Sequence, residues 1–153
     1  MSNPLPTALD DSLSEKIRDL CQQGYKHYDH ADYKMAIRQF YRAWTLIPKP
    51  QQQWPEAGWV LTALGDAYFK TENYSSSIEA LKSALHCPKT DKHPFIHLRL
   101  GQSYYQSYKQ NEAEGDKESS LSALSIAFNE GGEQLFAKEH PCYLSFLTPS
   151  PVA

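Results

Sequence analysis

Three glycines, Gly24, Gly65 and Gly101, interrupt stretches whose apolar spacing is otherwise that of amphipathic helices. A glycine in a helix interior costs about 1 kcal/mol relative to alanine, so its use three times in similar company predicts close helix–helix approach. With Gly24 as position 8 of a unit, Tyr33, Ala36, Phe40, Ala43 and Pro48 fall on positions 17, 20, 24, 27 and 32. With Gly65 as position 8, Leu61, Leu64, Tyr68, Tyr74, Leu81 and Ala84 fall on positions 4, 7, 11, 17, 24 and 27. Gly101 follows Leu100 and precedes Tyr104, again positions 7 and 11. The third unit continues through Ser120, Leu124 and Ala127 if seven residues are inserted in its internal turn. On this pattern the glycine admits the small residue at position 20 (Ala36, Ser77, Ser120), large residues flank it, and the alanines at position 27 admit the next unit.

These residues at these spacings resemble the tetratricopeptide repeat, a helix–turn–helix unit of about 34 residues. The resemblance covers residues 14–130. Gln23 and His27 depart from it, standing where the family has apolar and aromatic residues. It implies an all-α fold: three helical hairpins stacked in a right-handed superhelix, with short C-terminal helices capping the last one. The implied organisation is a single domain over residues 12–147, with units at 17–50, 58–91 and 94–134, a cap at 133–147, and tails at 1–11 and 148–153. Leu135, Phe136, Tyr143, Leu144, Phe146 and Leu147 would supply the cap.

Local signals set the element ends. Ser12 and Glu15 read as a capping box for a first helix reaching Asp29. Asp32 and Asn73 read as N-caps of the second and fourth helices. Pro48 and Pro50 end the second helix, Gln51–Trp54 form a polar linker, and Pro55 and Pro94 occupy the first turns of the third and fifth. Gln110–Glu118 is charged and weakly patterned, a solvated turn before a sixth helix that Gly131-Gly132 stops.

Composition narrows the function classes. With 41% apolar residues, 22% charged residues and a formal net charge of −3, the chain has an ordinary soluble make-up and no basic patch for nucleic acid. No run reaches the roughly 18 apolar residues of a membrane span, so no membrane insertion is expected. Met1–Asp11 lacks the features of a signal peptide, and Cys21, Cys87 and Cys142 at unrelated spacings fit a reducing compartment. The expected location is cytoplasmic. His93 and His97 are four apart, but Pro94 puts His93 outside the helix, and neither Cys-x-x-Cys nor His-Glu-x-x-His occurs. Gly131–Phe136 is faintly similar to the active loop of diguanylate cyclases, but no strand pattern flanks it. With no phosphate loop and no nucleophile elbow, the chain reads as non-enzymatic, with no metal and no cofactor.

The resemblance implies that the first helix of each unit lines a concave groove. The groove positions then include Arg18, Tyr25 and Tyr28 from the first unit, Trp59, Ala63, Asp66, Phe69 and Lys70 from the second, and Phe95, Leu98, Arg99, Gln102, Tyr105 and Gln106 from the third. Aromatic side chains with an occasional arginine anchor protein interfaces, because they bury much area for little rotamer entropy. Some family members clamp a chaperone's C-terminal carboxylate with lysines, asparagines and an arginine. The matching positions here are Cys21, Tyr25, Ala63, Phe95 and Arg99, of which only Arg99 agrees. The expected partner is therefore an apolar peptide or helix of another protein. Two more specific readings stay open, a secretion-type chaperone for a hydrophobic client and an immunity-like inhibitor of a toxin or enzyme. A self-associating scaffold, forming a homo-oligomer through exposed apolar ends, is the third.

Overall fold

Seven α-helices follow one another, with no strand among the described residues, in the computed structural model, which describes residues 8–148. They are α1 (Asp11–Asp29), α2 (Tyr33–Leu46), α3 (Pro55–Lys70), α4 (Tyr74–Ala84), α5 (Pro94–Asn111), α6 (Glu114–Gly131) and α7 (Pro141–Leu147). Short 3-10 turns at Gln51–Gln53 and Glu133–Phe136 lead into α3 and follow α6. The expected tails fall outside the described residues at 1–7 and 149–153. Residues 8–10 are not tail-like, since Leu9 is buried against the core and Asp10 caps α1 by accepting from the Ser12 amide at 2.8 Å. The cap expected from Ser12 and Glu15 is therefore supplied two residues earlier.

The first two hairpins close through one device. Ala31 and Glu72 sit in the left-handed region, with φ of 59° and 62°. Their amides bond back to the Tyr28 and Phe69 carbonyls, and the following amides of Asp32 and Asn73 reach the carbonyls of His27 and Tyr68. This is the Schellman closure of a helix C-terminus. The same Asp32 and Asn73 then turn their side chains forward to cap α2 and α4 through the amides of Met35 and Ser76. One residue ends one helix and starts the next, which fixes the hairpin angle.

The third hairpin is longer, and the extra length is not in its turn. Glu112, φ 52°, is its left-handed residue, and α6 begins two residues later. Gly24 and Gly65 each precede their left-handed residue by seven positions, whereas Gly101 precedes Glu112 by eleven. On the return, Ala36 and Ser77 lie five positions past the turn, and Ser120 lies eight. The insertion is thus four residues in α5 and three in α6, about one turn in each at 3.6 residues per turn. Adding a turn to both helices keeps the packing faces in phase, which a loop insertion was expected to do. Ser107 donates to Asp116 at 2.8 Å across this extension, and the Lys117 ammonium lies 6.0 Å from the Tyr108 ring.

Packing around the glycines corrects one detail of the sequence reading. A β-carbon at Gly24 would overlap the Phe40 ring, one at Gly65 would overlap Leu81, and one at Gly101 would lie 2.7 Å from Leu124. The atoms against each glycine are therefore the large side chains at position 24, and all three are fully buried. The small residues at position 20 do something else. Ser77 and Ser120 donate to the carbonyls of Gly65 and Gly101 at 2.7 Å each, while Ala36 has no hydroxyl to offer. Ala43, Ala84 and Ala127 are fully buried, and Tyr68 and Tyr104 pack against the main core cluster.

Helices pack with their chain neighbours, and α3 also touches both α1 and α5. The first helices of the three hairpins therefore lie side by side on one face. Trp54, expected in a polar linker, is instead a core residue whose indole N–H donates to the Pro48 carbonyl at 2.9 Å. Pro48 itself is exposed past the end of α2.

Candidate functional site

The face made by α1, α3 and α5 carries the predicted groove residues, and the structure divides them into two halves. Toward the N-terminal end of the face, Tyr25 and Trp59 border a cleft of about 460 Å³. Cys21, Pro55, Gly58, Thr62, Pro88, Lys89, Thr90, His93 and Ile96 complete its walls. Trp59 is 45% exposed and Tyr25 39%, high values for such large apolar rings. The Arg18 guanidinium stands 5.5 Å over the Trp59 ring. Tyr25 is braced from behind, its ring edge-on to Phe40 at 5.0 Å and to Tyr28 at 6.0 Å. Burial, with lesser contributions from Asp66 and Cys21, raises the Tyr25 hydroxyl pKa. Burial also pushes the Cys21 thiol up to about 11, so it stands neutral at physiological pH and is a poor nucleophile.

At the middle of the face lies a buried polar network. Arg99 Nε donates to Asp66 Oδ1 at 2.7 Å, and the Tyr28 hydroxyl donates to the same oxygen at 3.0 Å. The guanidinium sits between two rings, 4.9 Å from Phe69 and 5.1 Å from Phe95. Burial works against its charge, but Asp66 and Glu139 outweigh that and raise its pKa further. Asp66, Arg99 and Gln102 are 4%, 5% and 0% exposed, so these three predicted groove residues are engaged by the protein's own interior. Ala63 and Leu98, also expected on the groove, are likewise buried in the core.

Beyond this network the C-terminal segment lies on the groove. Glu139 accepts from Arg99 Nη1 and from Gln102 Nε2, the latter at 2.7 Å. Tyr143 meets Tyr105 edge-on at 5.3 Å and accepts from Gln106 Nε2 at 2.9 Å. Phe146 packs on Tyr105 at 4.9 Å and on Tyr108 at 6.5 Å. Burial by itself pushes the Glu139 carboxyl up, but the Gln102 hydrogen bond, the Arg99 charge and a contribution from Lys70 hold it below its ordinary value near 4.5. Burial raises Tyr143 to about 12, opposed only in part by Gln106. The segment caps α6 as well, with Phe136 6.1 Å from Phe128 and Leu135 set against Gly131.

The residues predicted for the groove thus separate. Tyr25 and Trp59 border open space with Arg18 over the Trp59 ring, Tyr28 and Asp66 form the junction, and Phe69, Phe95, Arg99, Gln102 and Tyr105 face or support the C-terminal segment, with Lys70 close enough to act on Glu139. Sequence reasoning did not single out Glu139, and it left open whether the C-terminal segment caps the last unit or occupies the groove. A signal was present: an acidic residue followed four and seven positions on by aromatics, in a segment whose capping duty needs no charge.

Among the described residues no group of three His, Cys, Asp or Glu side chains could hold a metal ion, and no helix is long and apolar enough to cross a membrane. His97 turns inward, its Nε2 2.6 Å from the Asp91 carbonyl, while His93 is exposed. No family model matches the sequence, and no curated protein matches it either.

Proposed function

We propose that this chain is a non-enzymatic, tetratricopeptide-type binding protein that holds an apolar segment of another protein in the open half of its aromatic groove. Three observations support the reading. Position 24 packs on the position 8 glycine in all three hairpins, the first helices adjoin one another, and Tyr25 with Trp59 forms an open aromatic cleft. The exposed Trp59 carries it. A large ring left 45% exposed beside a second aromatic and under an arginine has the composition of an interface anchor. Cytoplasmic location belongs to the same proposal.

Affinity purification with the wild-type chain and with Trp59→Ala tests it. The partner should be lost from the variant while its helical circular dichroism stays unchanged. Retention of the same partner by folded Trp59→Ala would reject the cleft as the binding surface.

A second surface favours self-association as an alternative. Tyr41, 57% exposed, borders an outer-face depression between α2, α3 and α4 that Trp44, Tyr68 and His86 also line. Light scattering across a concentration series, repeated with Tyr41→Glu, separates this reading from the first.

A further inference from the structure

We infer that residues 137–148 act as an internal ligand, and that the groove beneath them recognises a partner segment presenting a carboxylate with aromatic side chains four and seven residues further on. The inference rests on the binding reading above and names the chemistry that the C-terminal half of the groove selects.

The receptor side is built independently of the segment that covers it. Arg99 is fixed by Asp66, by Gln102 at 2.7 Å and by the rings of Phe69 and Phe95, none of which belongs to the C-terminal segment. Lifting the segment would leave an oriented guanidinium, with Lys70 nearby, facing a strip made by Tyr105 and Tyr108. Such preorganisation is what a carboxylate site needs, because the cost of arranging the donors is met before the ligand arrives.

The covering side looks like a ligand laid on that surface. A cap for an apolar helix end needs only apolar side chains, and Leu135 and Phe136 supply those against α6. The residues after them add a carboxylate for Arg99 and Gln102, a phenol for Gln106, and a ring for Tyr105. The attachments differ in kind, although α7 also packs on α6. Glu133–Phe136 stays on α6, Gly132 has φ of 74°, and the polar contacts begin only at Glu139. Opening beyond Phe136 would uncover the Arg99 site and lift Tyr143 from Leu98, Leu124 and Ala127, while Phe136 stays on the α5–α6 interface.

The test uses a labelled peptide of residues 137–148, with Cys142→Ser to prevent oxidation, and the full-length chain. Fluorescence anisotropy should show weak or no binding to the wild-type chain, whose own segment competes. The Tyr143→Ala/Phe146→Ala chain should bind the peptide at least about tenfold more tightly, and Glu139→Gln in the peptide should remove about tenfold of that. Hydrogen exchange on the wild-type chain provides the second measurement. Amides of α7 should exchange through local opening while those of α5 remain protected, and Glu139→Gln in the chain should speed α7 alone. A folded released chain that ignores the peptide, or α7 amides that exchange only with global unfolding, would overturn the inference. Neither result touches the Trp59 experiment, which reads the other half of the groove.

Discussion

The Ser77 hydroxyl donates to the Gly65 carbonyl and also meets the Ser103 hydroxyl at 2.9 Å, joining α3, α4 and α5 at one buried point. Its counterpart Ser120 bonds to Gly101 alone and joins two helices. The difference is measurable. Ser120→Ala removes one buried hydrogen bond and should cost about 1 kcal/mol, whereas Ser77→Ala also strips a partner from buried Ser103 and should cost about 1–3 kcal/mol. Urea denaturation of both variants checks this, and Ser77→Ala/Ser103→Ala should recover part of the loss. Equal costs would show that the three-helix junction is energetically idle.

Glycine-to-alanine changes should act in opposite directions at two helical sites. At Gly65 the new methyl would overlap Leu81, and overpacking of this kind costs about 1–3 kcal/mol despite the better helix propensity. At Gly115, in the first turn of α6, nothing lies within 4 Å, so a propensity gain smaller than the about 1 kcal/mol of a helix interior should appear as added stability. Thermal melts of the two variants give the sign directly.

The turns offer two stabilising substitutions. Ala31 holds φ of 59°, a conformation that costs an L-residue about 1–2 kcal/mol and glycine little, so Ala31→Gly should raise the melting temperature. Ala113 stands at the N-cap of α6 and makes no side-chain cap bond. Ala113→Asp should add roughly 0.5–2 kcal/mol in urea denaturation at neutral pH, a gain that shrinks in acid as the introduced carboxylate is protonated.

Acid should loosen the C-terminal segment before it unfolds the hairpins. Glu139 has a folded-state pKa below its unfolded value, so its contribution is present in full above about pH 4.5 and is lost as pH falls through the depressed value. Tyr143 fluorescence or α7 hydrogen exchange should therefore change on acidification in the wild type. Glu139→Gln should abolish that pH step and leave the segment loosened at neutral pH.

Much of the helical layout was legible in the chain because its signals are local. Asp32, Asn73, Pro55 and Pro94 set helix ends through bonds and φ restrictions spanning a few residues, and apolar periodicity located the buried faces. The start of α6 was not legible. Its first turns bury little apolar surface, and the α5–α6 extension is tied by Ser107 to Asp116 and Tyr108 to Lys117, pairings that leave no periodic trace. Trp54 was misplaced for a related reason, since its three glutamine neighbours suggest solvent while its indole is drawn inward by the Pro48 carbonyl.

Sequence alone determined where most of the helices lie, because glycine, proline and capping side chains act over one or two turns. It also placed two arginines and six aromatics on the predicted groove. Only the tertiary structure decided which of them remain open. The pairing of Arg99 with Glu139 spans 40 residues, and that of Tyr28 with Asp66 spans 38. Bonds over such separations depend on how the hairpins stack, and no local preference encodes them.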